Sequence, residues 1–219
     1  MKKSDFKSIS WSKLFLELLV VFLGVSAGFL LQNSKEDSSN NEQEQKYIQS
    51  FLSDIDVNIN NLKESIEDDS LWLKKTEYAI YLIVKDSLSI DSANTLIILM
   101  SNFTEFSGQV NTYTNITNSG NLNLITDYGL KQTIVEYHKS LEELDILNSV
   151  FSDFRSENFM PFIIGNYDMF MQQFVNPEMA KSTDFTNIFG IQFSLTQQRL
   201  EAYKLLLKES EDYRDLLER

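Results

Sequence analysis

The pattern of apolar and polar positions divides the chain into three parts. Residues 14–31 read LFLELLVVFLGVSAGFLL and hold a single charge, Glu17. Residues 32–45 are entirely polar, and apolar residues then return at helical spacing from Lys46 onward. A bilayer core about 30 Å thick is crossed by roughly 20 apolar residues in a helix. The pattern therefore predicts a transmembrane helix at 14–31, a polar juxtamembrane segment at 32–45, and a helical body at 46–219.

Two other interpretations of the apolar run are open. In the first it is a cleaved signal peptide, because the residues before it are basic and Val25-Ser26-Ala27 resembles a small-residue cleavage site. Glu17 within the run, and the apolar residues 28–31 after the cleavage position, argue against this interpretation. In the second it is the buried core helix of a soluble domain, although such helices rarely carry so long an unbroken apolar run.

The distribution of lysines predicts the orientation of the helix. Lys2, Lys3, Lys7 and Lys13 precede the apolar run, whereas only two lysines lie between residues 32 and 60, among many acids. Positive charges next to a membrane helix stay in the cytoplasm. We therefore expect residues 1–13 to form a cytoplasmic basic head and the body to lie outside the cytoplasm.

One face of the predicted membrane helix carries unusual residues. Glu17, Val21, Gly24 and Gly28 follow one another at steps of four, three and four, so they share a stripe. A Gly-x-x-x-Gly pair lets two helix backbones approach closely, and a carboxyl within a membrane usually has a partner or a function. The stripe predicts an interface with a second copy or with another membrane protein. The alternative is a chance glycine spacing, with Glu17 hydrated near the membrane surface.

Helical periodicity continues through the body. An apolar stripe starts at Tyr47, Ser89 or Asp91 can cap a short helix that ends near Asn102, and Gly120 suits a left-handed helix-ending position. The longest helix of the body is predicted from Asp127 to Phe159, and a final helix from about Phe185 or Ser194 to Leu217. Glycine and proline are scarce, which favours long helices. The expected fold is all-α, an antiparallel helical bundle after the membrane helix.

The segment 159–174, FMPFIIGNYDMFMQQF, is rich in aromatic residues and methionine. We expect Pro161 to end or kink the helix that enters it. Aromatic side chains bury large areas, so the segment is expected to pack in the core. The alternative is an exposed patch that faces a partner or the membrane.

Charge and composition exclude several functions. The net charge is −13, and four lysines against two acids leave residues 1–31 at +2, so residues 32–219 carry −15. A surface this acidic is unsuited to nucleic acid, which needs a basic patch. Cysteine is absent and His138 is the single histidine, so a histidine-based metal site or a histidine triad is hard to assemble. We expect no metal and no cofactor.

The acidic cluster Glu64, Glu67, Asp68 and Asp69 is interpreted as a solvated helix face, because it lacks the tight glycine-containing loop of a calcium site. His138 lies beside the apolar stripe of the longest helix and is expected to be structural or exposed rather than catalytic. No combination of nucleophile, base and oxyanion donors can be assembled, so the chain is not expected to be an enzyme.

Two functional hypotheses remain. In the first, the chain is a structural or interaction module held at the lipid bilayer, which binds a second copy or a membrane protein through its anchor. In the second, a helical bundle binds a small ligand between its helices and signals through a membrane partner. Aromatic residues such as Trp72, Tyr78, Tyr113 and Tyr137 would line that site.

Three features of the chain resemble a family of uncharacterised single-pass membrane proteins from Bacteroidota, DUF6090. They are the anchor with its early Glu17, the acid-rich juxtamembrane stretch that leads to Lys46-Tyr47, and the turn SGNLNLI at 119–125 with the helix after it. The resemblance covers most of the chain. It implies an inner-membrane protein with a cytoplasmic amino terminus and a periplasmic body, and it implies no known reaction.

Overall fold

The structure is a computed structural model that describes residues 11–102 and 104–218. Most of the predicted basic head, including Lys2, Lys3 and Lys7, lies outside the described residues. The chain divides into two units, Met1–Tyr47 and Ile48–Arg219.

The described residues form an almost wholly helical fold, as the periodicity predicts. The helices are α1 (Trp11–Val84), α2 (Ile90–Ser101), α3 (Asn111–Asn118), α4 (Tyr128–Phe154), α5 (Met160–Asn166) and α6 (Thr183–Leu217). Short 3₁₀ turns cover Asn121–Leu124 and Pro177–Lys181, and a π-helical turn covers Arg155–Phe159. Two short strands, β1 (Tyr167–Asp168) and β2 (Gln173–Phe174), pair antiparallel, with Tyr167 opposite Phe174. The polar residues 32–45 are helical throughout, and α1 continues to Val84.

Local side-chain chemistry sets several helix ends where the sequence predicts them. The Ser89 hydroxyl accepts a hydrogen bond from the Ser92 amide, and the Asp127 carboxylate accepts one from the Leu130 amide. Both satisfy amides that a helix start leaves without an intrahelical partner. Gly120 has φ of +72°, a left-handed conformation that glycine adopts without strain. The predicted caps and the predicted turn are confirmed.

Within the second unit, α1 and α6 run antiparallel. Phe51 in α1 packs edge-on against Tyr213, near the end of α6. Further along α1, Asp69 pairs with Arg199, which lies earlier in α6. The sequence order of these contacts is reversed between the two helices, which defines an antiparallel pair.

The pair formed by α4 and α6 is also antiparallel. Tyr137 contacts Tyr213, with ring centroids 4.8 Å apart, and Phe151 lies beneath the guanidinium of Arg199. Because α6 opposes both partners, α1 and α4 run in the same direction. Both pairs that α6 forms are therefore antiparallel, as an antiparallel bundle requires, and the parallel direction of α1 and α4 follows from them.

The core runs the length of the second unit. The stripe predicted for α1 is buried at Phe51, Ile55, Ile59 and Leu62. A second cluster gathers side chains from α1, α2, α5, α6, both strands and the turn before α6. Its fully buried members include Ala93, Ile97, Met100, Phe159, Phe185 and Phe189.

The aromatic segment 159–174 is both core and surface. Its buried members are Phe159, Phe162, Ile163, Tyr167 and Phe174. Its exposed members are Met160, Ile164, Met169, Phe170 and Met171. Phe170 is 99% exposed and Phe174 is 4% exposed, although both belong to the same strand pair and its turn. The predicted core is therefore confirmed for one face of the segment only.

The sequence analysis expects Pro161 to end or kink the helix, and the prediction that it ends the helix is wrong. The chain passes from α4 through the π-helical turn into α5 and stays helical to Asn166. Proline lacks an amide hydrogen, so it cannot make the ordinary bond to the carbonyl four residues earlier. A π-helical turn just before proline changes the hydrogen-bond register at that point.

Candidate functional site

A buried ion pair lies at the centre of the bundle. Arg199 is 2% exposed and Asp69 is 5% exposed. The guanidinium donates two hydrogen bonds to the carboxylate, from Nε to Oδ2 at 2.9 Å and from Nη2 to Oδ1 at 2.5 Å. The Arg199 Cζ also lies 4.3 Å from the ring centroid of Phe151. The prediction of a solvated acidic face is therefore wrong for Asp69, whereas Glu64, Glu67 and Asp68 are exposed.

The charges around the pair come from several elements. Burial lowers the pKa of the Arg155 guanidinium, and the positive charge of Arg199 lowers it further. Burial raises the pKa of the Asp69 carboxyl in spite of Arg199 beside it, and burial also raises the pKa of Glu105. Asp68 and Asp145 add negative charge to this group, because they raise the pKa of Asp69 and of Glu105 respectively.

A cavity of about 220 Å³ opens beside the ion pair. Its apolar wall is formed by Leu71, Trp72, Leu99 and Phe151, and Gln192 lines it from α6. The volume has room for about seven water molecules at about 30 Å³ each. This cavity lies between α1, α2, α4 and α6, where helical bundles commonly hold ligands.

The side-chain amide of Gln192 is buried, and only one of its two polar atoms has a hydrogen-bond partner among the described residues. It is 2% exposed, and its Nε2 donates a hydrogen bond to the carbonyl of Met100 at 3.3 Å. That bond sets the orientation of the amide, because the flipped form would place two carbonyl oxygens against each other. Within the part of the chain that the structure describes, no donor reaches Gln192 Oε1. A buried acceptor in this state destabilises a fold by about 1–3 kcal/mol.

A second polar network clamps the loop at residues 104–110. Asn58 accepts from the Gln109 amide at 2.6 Å and donates to the Gln109 carbonyl at 3.2 Å. Asn148 donates to the Phe106 carbonyl at 3.0 Å, and the Tyr203 hydroxyl accepts from the Phe106 amide at 3.2 Å. These side chains satisfy backbone groups that a loop cannot satisfy within itself.

The four aromatic residues proposed to line a ligand site do not converge. Trp72 lines the cavity, and its Nε1 donates to the Leu99 carbonyl at 3.0 Å. Tyr78 is exposed and stacks on its neighbour Tyr81. Tyr113 stacks on His138, and Tyr137 is buried in the other part of the core. Only Trp72 of the four belongs to the cavity.

His138 lies in the core, which agrees with the structural alternative and not with the exposed one. It is buried, its ring stacks on Tyr113 with centroids 4.0 Å apart, and its Nδ1 lies 2.7 Å from the Ile134 carbonyl. Burial lowers the pKa of the imidazole below its ordinary value, against the weaker attraction of Asp54 and Glu142.

The predicted interface stripe of the anchor lies on α1, and no other described residue packs on it. Glu17, Val21, Gly24 and Gly28 are all exposed. A Cβ added at Gly24 or Gly28 would meet no atom within 4 Å. The face is therefore open to a lipid or to a second helix.

Among the described residues, one helix is long and apolar enough to cross a membrane, by length and composition alone. None of its apolar window is buried in the structure, which argues against a core helix. Over the same described residues, no group of three or more His, Asp or Glu side chains is placed to hold a metal ion.

The residues around the cavity that the sequence analysis missed are Gln192, Thr196 and Arg199. All three are buried polar residues at core positions of α6. The signal that would have found them is positional: they continue the three- and four-residue steps of the apolar stripe at Leu200 and Tyr203. A polar residue at a core position is an exception that requires a partner.

Comparisons with known proteins supply no relative. No family model matches the chain, and neither a curated protein nor a solved structure matches it significantly. Its function is therefore inferred from its residues and their geometry.

Proposed function

We propose that this chain is a membrane-anchored helical module of the cell envelope with a structural or interaction role. Residues 14–31 cross the inner membrane once, the amino terminus lies in the cytoplasm, and the acidic helical body lies in the periplasm. This topology is also what the resemblance to DUF6090 implies.

The observation that carries the proposal is the uncovered apolar surface of the first part of α1. The large apolar side chains between Leu14 and Leu31 are all exposed, and most of them by more than half. Such a continuous surface is far larger than the apolar patches that soluble proteins leave in water. A bilayer covers it completely, and a helix satisfies its own backbone there.

The open stripe at Glu17, Val21, Gly24 and Gly28 supports an interaction role. Small residues without neighbours allow close contact between helices, and a carboxyl in lipid gains from a partner that shares its proton or its hydrogen bonds. The proposed partner is a second copy or another membrane protein. We also propose a non-enzymatic role, because the sequence gives no basis for assigning a nucleophile, a base and oxyanion donors to one site.

Topology in intact cells tests the proposal. The full chain, tagged at its carboxyl terminus, should remain in membranes after alkaline extraction with an intact mass. Protease added to spheroplasts should digest the body, because it lies outside the cytoplasm. A control with Val20→Arg and Leu23→Arg should leave the membrane fraction. A soluble product beginning near Gly28 would show a cleaved signal peptide, and a protected body would show the opposite orientation.

A further inference from the structure

We infer that the cavity beside the Asp69–Arg199 pair binds a free α-amino acid with an apolar side chain, such as leucine or phenylalanine. The apolar walls of the cavity hold the side chain, and two exposed residues of opposite charge in its lining hold the ammonium and the carboxylate. The site lies in the bundle and is independent of the membrane anchor, so it goes beyond the proposed interaction role.

The two charges of the ligand follow from the charged residues of the lining. Among the described residues, four charged side chains line the cavity, two of each sign. Asp69 and Arg199 are buried and paired with each other, so their charges are already compensated. Asp68 and Lys75 are exposed, and no ion pair among the described residues includes either of them. This arrangement is complementary to a ligand that carries both charges and has no net charge.

The spacing of the two charges suits a ligand that lies between them. Asp68, Trp72 and Lys75 follow one another on α1 at steps of four and three, so they share one face of the helix. The Cα atoms of Asp68 and Lys75 are about 10 Å apart along the axis, with Trp72 between them. The flexible four-carbon stem of Lys75 lets its ammonium approach the middle of this face.

Both charged groups have hydrogen-bonding capacity for a ligand. The Thr104 hydroxyl donates to Asp68 Oδ2 at 3.0 Å, which holds the carboxylate beside the cavity. The other oxygen of Asp68 can accept from a ligand ammonium, and Lys75 has three N–H donors for a ligand carboxylate. The lining therefore provides both an acceptor for the cation and donors for the anion.

The apolar side chain and the size of the ligand follow from the walls. The volume of 220 Å³ suits a molecule of about ten non-hydrogen atoms rather than a peptide. Leu71, Trp72 and Leu99 line the cavity and keep part of their surface exposed, so an apolar side chain against them removes that surface from water. Gln192 Oε1 and Arg199 Nη1 have almost no accessible surface, so they set no requirement for the ligand.

Titration of the full chain in non-ionic detergent micelles tests the inference. The chain has two tryptophans, so Trp11→Phe leaves the indole N–H signal of Trp72 as a single reporter in ¹H–¹⁵N spectra. L-Phenylalanine is the first probe, at a pH of about 7, where its amino and carboxyl groups are both charged. It should bind with Kd of about 1 mM, as expected for so small a ligand.

Three further probes each lack one part of the ligand. 2-Phenylethylamine lacks the carboxylate and 3-phenylpropanoate lacks the ammonium. Each of these two should bind about three- to fivefold more weakly than L-phenylalanine, because one partly exposed ion pair is lost. Glycine keeps both charges and lacks the ring, and it should bind at least about tenfold more weakly.

Paired variants of α1 provide the matched comparison. Asp68→Asn and Lys75→Gln each remove one charge at the cavity and should weaken L-phenylalanine about three- to fivefold. Asp68→Asn should not weaken 3-phenylpropanoate, which has no ammonium, and Lys75→Gln should not weaken 2-phenylethylamine, which has no carboxylate. Glu67→Gln and Lys74→Gln make the same charge changes at neighbouring exposed positions that do not line the cavity, and they should leave binding unchanged. If a variant does not fold, the ranking of the four probes on the Trp11→Phe chain still decides.

Three results would overturn the inference. The first is no movement of the Trp72 signal with L-phenylalanine up to its solubility, which would mean that such solutes do not enter the cavity. The second is equal affinity for the three probes that carry a ring. The third is an equal effect on L-phenylalanine of each cavity variant and its neighbouring control. None of these results bears on the membrane anchor, whose topology is tested separately.

Discussion

Arg199 shows how a single polar residue determines much of the bundle interior. It joins α6 to α1 through Asp69 and covers the ring of Phe151 in α4. A buried ion pair adds little net stability over a well-packed apolar pair, but removing one partner leaves an uncompensated charge. The two residues are therefore coupled, and each constrains what the other position tolerates.

The first prediction concerns this coupling. Arg199→Met should lower the free energy of unfolding by about 3–5 kcal/mol, because Asp69 stays buried without its cation. Adding Asp69→Leu to Arg199→Met should recover part of that loss. Urea denaturation of the three proteins measures both effects.

An exposed ion pair between the same two helices is the control. Arg214 Nε lies 2.7 Å from Asp56 Oδ1, and 41% of the Arg214 side chain and 54% of the Asp56 side chain are exposed. Arg214→Met should lower the free energy of unfolding by no more than about 1 kcal/mol. Equal losses for Arg199→Met and Arg214→Met would show that breaking the buried pair costs no more stability than breaking the exposed pair.

The second prediction concerns pH and His138. Burial lowers its pKa, so the unfolded chain takes up a proton near the ordinary value of 6.5 while the folded chain still resists it. The contribution of His138 to stability is therefore complete above about pH 6.5 and declines as the pH falls through the folded-state pKa.

Denaturation between about pH 7.5 and about pH 5 measures this effect, with His138→Gln as the comparison. His138 is the single histidine, so the difference between the two proteins isolates its titration from that of the carboxyls. The original protein should lose more stability on acidification than the variant. Parallel curves would contradict a buried neutral imidazole.

At the scale of elements, α6 explains what the sequence analysis recognised and what it missed. One line of its buried residues follows steps of three and four without a break, namely Phe189, Gln192, Thr196, Arg199, Tyr203, Leu206, Ser210, Tyr213 and Leu217. The apolar members of this stripe are recognised from hydrophobicity, so the helix and the face that it buries were predictable. The polar members were not, because their burial depends on partners in α1 and α2 that are distant in sequence.

The strand pair at residues 167–174 is a second case. Hydrophobicity cannot separate Phe170 from Phe174, since both are phenylalanines in an apolar segment. The antiparallel register puts Phe174 opposite Tyr167 and leaves Phe170 in the turn, where its side chain is almost fully exposed. Pairing between strands, rather than composition, divides this segment into a buried and an exposed face.

The third prediction belongs to the anchor as an element. Gly24→Leu or Gly28→Leu should reduce association of the full chain in membranes by about tenfold, because a side chain there separates the helices. Ser26→Leu adds similar bulk about 200° around the helix and should have little effect. Crosslinking in native membranes measures the associated fraction. A monomer in every case, or equal effects of all three substitutions, would exclude the stripe as an interface.

For the whole molecule, periodicity and helix caps predicted the all-α class, the long helices at both ends of the body and the turn at Gly120. They did not predict that α1 and α4 run in the same direction, since helix order in space depends on packing. The cavity was also beyond the sequence analysis. It is formed by α1, α2, α4 and α6, so the groups around it come from four distant stretches of chain.

The clamped loop at residues 104–110 has a consequence for how the body opens. The amides of Phe106 and Gln109 donate to Tyr203 in α6 and to Asn58 in α1, so they are released only when the loop separates from these helices. These two amides should exchange with deuterium as slowly as those of the helix core, although they lie outside any helix. Asn58→Ala should speed exchange at Gln109 far more than at Phe106, as mass spectrometry or NMR would record. Fast exchange at both sites before any substitution would mean that the loop opens by itself, without the helices around it.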